Sequence, residues 1–212
     1  MTDVSRGRNL VLIGCRGCGK TTVGRALAAR LGWVFVDTDE RVAALAGRPI
    51  ATIFATDGEA AFRELESRVI AAAIHRRDAC ATPDTPADVG HGGPTLQGSA
   101  GVSPAVLSVG GGAVLSEANR AALRQAGLCI WLTAPADELH RRVMSDPDHA
   151  ADRPALTHLD GPAEMQHLLR EREPLYAALA DHVVSTAGRS LEEVVEIVRR
   201  LAETPGPSAD KR

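Results

Sequence analysis

Residues 10–22 read Leu10-Val11-Leu12-Ile13-Gly14-Cys15-Arg16-Gly17-Cys18-Gly19-Lys20-Thr21-Thr22. The uninterrupted apolar run Leu10–Ile13 has the form of a strand buried on both faces, as in a parallel sheet. Residues 14–21 satisfy G-x-x-x-x-G-K-[ST] without a mismatch. They stand between that strand and a helical pattern over about 20–31 that Gly32 terminates. A loop of this kind curls so that successive N–H groups face anionic oxygens, and the helix N-terminus adds a favourable dipole. Gly14, Gly17, Cys18, Gly19, Lys20, Thr21 and Thr22 are therefore expected to hold a nucleoside triphosphate. Lys20 would bridge the β- and γ-phosphates, and the Thr21 hydroxyl would ligate Mg²⁺.

Working outward, Trp33–Val36 is a second strand and ends at Asp37-Thr38-Asp39, where open α/β sheets place ligand chemistry. Asp37 suits Mg²⁺, directly or through water, and Asp39 suits an attacking hydroxyl whose proton must be accepted. A blander role, capping the helix that follows, is open to the same acids. Apolar runs and helical patterns then alternate, the signature of βαβ units. Strands are expected at about 105–109, 128–132 and 182–185, with helices at about 39–46, 116–126, 138–143 and 163–180. Thr56 and Glu59 form a capping box ahead of another helix, as do Ser190 and Glu193 ahead of the last. Gly127 is expected to stop the helix before it, and Pro174 to kink or break the helix that contains it.

Length 212 gives one ordinary domain with appendages, expected at 1–203 with a frayed tail over 204–212. Residues 78–105 hold four prolines and five glycines with no Lys or Arg, and read as a tolerated surface insertion. The 24 basic and 27 acidic residues leave a net charge of −3, which argues against a general nucleic-acid or anionic-membrane binder. No membrane-length apolar run occurs and the first ten residues are too polar for a signal peptide. Cysteines 15, 18, 80 and 129 form no disulfide framework, which fits a reducing cytoplasm. Cys15 and Cys18 spell C-x-x-C, yet both fall on variable loop positions with no second Cys/His pair at zinc spacing. The helix N-terminus and Lys20 beside Cys18 predict a lowered thiol pKa and reactivity at the nucleotide site.

The phosphate loop, Asp37-Thr38-Asp39, Gly58-Glu59 with Phe62-Arg63 and Glu66, Gly110-Gly111-Gly112, Arg153-Pro154 and Arg172-Glu173-Pro174-Leu175-Tyr176 follow one another along the chain. In that order, over about residues 8–201, they resemble the shikimate kinase family. The resemblance implies an α/β, three-layer P-loop kinase fold with a short central parallel sheet flanked by helices. It implies transfer of the ATP γ-phosphoryl group to the 3-hydroxyl of shikimate, with Mg²⁺ at Thr21 and Asp37. Lys20, Asp39 and Arg153 would be catalytic, Asp39 as base and Arg153 reaching the phosphates from a lid over 144–162. Arg63 and Arg172 would clamp the substrate carboxylate, and Gly111 and Gly112 would contact substrate with their backbone. Arg142 would pack near adenine. The stretch 185–190 lacks a proline common in the family, so Arg189 is expected to contribute there instead. The region 39–62 would be the mobile substrate-binding part. A cytoplasmic monomer whose partners are shikimate and ATP is expected. A kinase of gluconate or quinate, and a non-catalytic nucleotide- or shikimate-binding module, stay open as alternatives.

Overall fold

The structure is a computed structural model and describes residues 9–75, 104–145 and 161–203. The insertion over 78–105, the lid with Arg153, Cys80 and the tail therefore lie outside the described residues, apart from the ends of the first two.

Strands β1 (Asn9–Ile13), β2 (Val34–Asp37), β3 (Ala105–Ser108), β4 (Gly127–Thr133) and β5 (His182–Ser185) form one five-stranded, all-parallel sheet in the order β2-β3-β1-β4-β5. The central strand β1 is buried at every residue, as its unbroken apolar run requires. Leu10 sits opposite Val106 on one side and Leu128 on the other. The helices are α1 (Lys20–Leu31), α2 (Thr38–Ala46), α3 (Ile50–His75), α4 (Glu117–Ala126), α5 (Ala136–Met144), α6 (Gly161–Leu179) and α7 (Leu191–Glu203).

Alternation along β1 makes the three layers. Leu10 and Leu12 pack with Leu27 of α1, Leu139 of α5 and Val198 of α7. Val11 and Ile13 face the other way, onto Ile70 of α3, Leu123 of α4 and Tyr176 of α6. The first half of α6, with Met165 and Leu168, belongs to the former cluster, and its second half to the latter. Arg172 stands where the helix passes from one to the other. A smaller cluster of Val42, Ile53, Phe62 and Val69 joins α2 to α3.

Two local expectations are corrected, and a third holds in another conformation. The capping box at Thr56 does not form, because α3 starts at Ile50 and the Thr56 hydroxyl donates back to Thr52 O at 2.9 Å. The break comes at Gly58, whose φ of 82° and ψ of 172° are non-helical. Gly127 does end α4, which stops at Ala126, though not through a left-handed conformation. It starts β4 in extended backbone, where a Cβ would lie 1.8 Å from Asn9 O. Pro174 neither ends nor divides the helix, since α6 runs through it to Leu179. The Ser190 box does form: Glu193 N donates to Ser190 Oγ at 3.3 Å, and Ser190 N to Glu193 Oε2 at 2.8 Å.

Candidate active site

Because every strand runs the same way, the carboxyl ends of β1, β2 and β3 meet at one sheet edge. The loop after β1 curls there through three left-handed glycines, Gly14 (φ 140°), Gly17 (φ 80°) and Gly19 (φ 90°). The curl is pressed against its neighbours: a Cβ on Gly14 would stand 2.3 Å from Leu132 O, and one on Gly17 2.6 Å from Leu139 O. Lys20 is buried beneath it, its Nζ donating to Gly14 O at 2.9 Å and Cys15 O at 3.0 Å. The ammonium is thereby fixed within the loop.

Asp37 does two jobs. Its Oδ2 accepts from the Thr21 hydroxyl at 2.7 Å, while Oδ1 caps α2 by accepting from Asp39 N at 3.0 Å. Helix capping and a paired hydroxyl and carboxylate at the loop's edge are thus both true of this residue. Such oxygens suit a hard cation that takes its remaining ligands from phosphate and water.

A cavity of about 590 Å³ opens in front of the loop, lined by Lys20, Thr21, Thr22, Asp37, Arg142 and Arg189 among others. Arg142 is anchored, donating to Thr186 Oγ1 at 2.9 Å and Thr186 O at 3.0 Å. The exposed Arg189 donates to Ser185 O at the rim. Gly14 lies behind the curl and does not line this cavity, where Gly17, Cys18 and Gly19 do. The thiol expectation fails on burial. Cys18 is 0% exposed and Cys15 2%, and burial pushes the Cys15 thiol above its ordinary value.

A second, smaller cavity of about 60 Å³ adjoins it, lined by Asp39, Arg63, Glu66, Arg172 and the triplet Gly110–Gly112, with Phe54 and Phe62. Arg63 is held by Glu66 at 2.8 Å and Glu59 at 3.0 Å. The triplet lets the strand end approach these groups. A Cβ on Gly112 would stand 2.3 Å from the Arg63 guanidinium, and one on Gly110 2.5 Å from Glu66 Oε1 and 2.6 Å from Asp39 Oδ1. Tyr176 donates to Gly111 O at 2.6 Å, and Gly110 N donates to Thr38 Oγ1 at 3.0 Å. Burial pushes the Glu66 carboxyl up to about 7, although Arg63 pulls it down.

Among the described residues, buried side-chain atoms without a hydrogen-bond partner are Arg16 Nε, Glu66 Oε1, Arg172 Nε and Trp131 Nε1. The first three line the smaller cavity. Buried polar atoms are seldom left unpaired, so this clustering marks a place built for a polar, hydrogen-bonding ligand. Asp39 lines both cavities.

The predicted residues thus come together, with Arg63, Gly111, Gly112 and Arg172 around one cavity and the loop, Asp37, Arg142 and Arg189 around the other. Sequence reasoning gave no role to Glu66, Gly110, Arg16, Glu164 or Thr186. The Arg63-x-x-Glu66 spacing on one helical face was a usable signal for Glu66. Arg16 occupies a variable loop position, and the partner that holds it, Glu164, is 148 residues away.

The chain matches the family described as shikimate kinase over residues 16–82 and 96–202. It is 41% identical over 196 residues to a shikimate kinase of Symbiobacterium thermophilum, covering 92% of this chain and 97% of that protein. It is 42% identical over 173 residues to one of Nitratidesulfovibrio vulgaris, covering 82% and 83%. The structure superposes on shikimate kinase from Acinetobacter baumannii, solved in complex with shikimate, with a TM-score of 0.74, 28% identity and 93% of each chain covered. With a phosphate loop, two adjoining cavities and a match over most of its length, the chain belongs to the shikimate kinase family.

Proposed function

We propose that the protein transfers the γ-phosphoryl group of ATP to the 3-hydroxyl of shikimate, with ATP in the larger cavity and shikimate in the smaller. The observation that carries this reading is that Asp39 lines both. A carboxylate at that boundary meets the acceptor hydroxyl on one side and the phosphoryl group on the other. The hydroxyl oxygen forms the new bond to phosphorus, its proton goes to Asp39, and the bridging oxygen keeps the electron pair of the broken bond and leaves on ADP. Lys20 draws charge off the β- and γ-phosphates. Mg²⁺ fits beside Thr21 and Asp37, where it would neutralise phosphate charge. Arg153 matches the family's lid arginine and closes over the phosphates in this reading.

Substrate class follows from the mixed basic, acidic and aromatic lining of the small cavity. Arg63 and Arg172 offer planar guanidinium forks to a carboxylate, and Asp39 and Glu66 accept from hydroxyls. Phe54 and Phe62 give an apolar wall for a ring face. Arg142 and Arg189, which line the larger cavity, would meet adenine in this reading. The free thiols Cys15, Cys18 and Cys129 support a reducing cytoplasm. No helix of the described residues is long and apolar enough to cross a membrane.

The test is ADP release with shikimate, quinate and gluconate side by side, the product phosphate located by ³¹P NMR. Shikimate is expected to be fastest and to be modified at its 3-hydroxyl. Faster turnover of gluconate or quinate would reassign the acceptor, and nucleotide binding without turnover of any of them would make the protein a binding module.

A further inference from the structure

Two described residues line both cavities: Asp39 and Arg16. Asp39 is already placed at the point of transfer. Arg16 sits in the loop after β1, at a position the phosphate-loop pattern leaves free. A Cβ built on Gly111 would stand 3.6 Å from Arg16 N, so the loop backs directly onto the glycine triplet of the smaller cavity. One terminal nitrogen of the guanidinium donates to Glu164, near the start of α6, and both side chains are largely buried, at 14% and 7% exposure. Arg16 Nε is buried without a partner.

We infer that Arg16 is a further catalytic residue, contacting the equatorial oxygens of the phosphoryl group during its passage from ATP to the acceptor; this rests on the proposed reading of the site. An arginine has five N–H donors in a rigid plane, so Glu164 occupies part of the fork and leaves the rest for a second anion. The ion pair orients the guanidinium before substrate arrives, and a donor fixed in advance stabilises developing charge without reorganising. The bonds made and broken are those of the proposed transfer: phosphorus to the acceptor oxygen, and phosphorus from the bridging oxygen of ADP, with the proton on Asp39. Arg16 takes no proton, since an arginine stays charged throughout. Glu164 touches no reacting atom in this scheme and is a positioning residue. A lysine at position 16 cannot serve Glu164 and the phosphoryl group together, because it brings one nitrogen where the guanidinium brings three.

The test compares Arg16→Met and Arg16→Lys with wild type in the full chain. The readouts are kcat at saturating MgATP and shikimate, Kd for ADP and for shikimate, and the tightening of MgADP on adding aluminium fluoride, a stand-in for the transferring group. In Arg16→Met, kcat is expected to fall by about 100-fold or more, as for the loss of one preorganised donor, with both Kd values within about threefold and the aluminium fluoride effect abolished. Arg16→Lys is expected to lose at least about tenfold in kcat with binding kept, and it decides the question on its own should the methionine variant not fold. A kcat within about threefold of wild type in either variant would overturn the inference. So would a loss of kcat matched by lost ADP or shikimate affinity with the aluminium fluoride effect intact. The fluoride titration uses no acceptor, so it judges Arg16 even if wild-type protein fails to phosphorylate shikimate, a failure that would count against the proposed function instead.

Discussion

Replacing Gly110 by alanine puts one methyl group between the two carboxylates that face the acceptor. The new Cβ would lie 2.5 Å from Glu66 Oε1 and 2.6 Å from Asp39 Oδ1, where ordinary contacts start at 3.4 Å. The Glu66 and Asp39 oxygens must therefore move by about 0.9 and about 0.8 Å. Gly110 is not among the glycines with positive φ, so alanine meets no backbone strain there. The whole effect falls on side-chain placement. A misplacement of about 1 Å at a reacting group costs roughly 100-fold in rate, or about 2.7 kcal/mol of barrier. Overpacking should cost at most about 2 kcal/mol of stability, because the crowded atoms are side-chain ends that can swing. The expected result of Gly110→Ala is a kcat lowered about 100-fold, a KM for ATP and a Kd for ADP near wild type, and a folded protein by thermal melt. Gly112→Ala is the matched control. Its Cβ would press on the Arg63 guanidinium at 2.3 Å, so KM for shikimate should rise more than kcat falls. Gly110→Ala with kcat within about threefold of wild type would refute the placement of Asp39 at the transfer point.

Removing a buried half of the carboxylate clamp, Arg172→Ala, should raise KM for shikimate by about 2–4 kcal/mol of lost binding while KM for ATP moves much less, and Arg172→Lys should recover only part; equal changes for both substrates sink the clamp. Glu66 has its carboxyl raised from 4.5 to about 7, so the folded state holds that proton more tightly than the unfolded one. Stability then falls as pH climbs from about 4.5 to about 7, by up to about 3 kcal/mol, and Glu66→Gln should lack that fall; parallel unfolding curves for the two proteins would disprove it. Lys20→Ala should abolish turnover with the fold retained, and near-wild-type activity would remove the phosphate-loop assignment. Native protein should resist iodoacetamide at Cys15 and Cys18, both buried, and unfolded protein should react at once; fast native labelling with loss of activity would contradict their burial.

What could be read from the chain and what could not divide along sequence distance. The loop of residues 14–21, the strand before it and the helix after it are dictated by neighbours, so pattern alone recovers them, as it does the Ser190 cap and the five strands. Strand order depends on pairings such as Leu10 with Val106 and Leu128, about which periodicity is silent. The start of α3 escapes local pattern for a related reason. Thr56 looks like a cap until α2 and the cluster around Ile53 stabilise the turn before it, and tertiary burial outweighs local capping. Gly127 carries the same lesson, since its need for glycine comes from Asn9 on the adjacent strand and not from the helix it follows. At the site, residues sharing a short motif were legible as a unit, and Arg63, Arg172 and the glycine triplet followed from the order of motifs. The Arg16–Glu164 pair had no such signal. It joins the loop after β1 to α6, the helix that also carries Arg172. Losing that carboxylate frees the guanidinium which the ion pair orients, so Glu164→Gln should lower kcat and weaken the aluminium fluoride effect while Kd for ADP and for shikimate stay within about threefold of wild type, as the inference about Arg16 requires. A kcat within about threefold of wild type would mean that Arg16 needs no such partner to reach the transferring group.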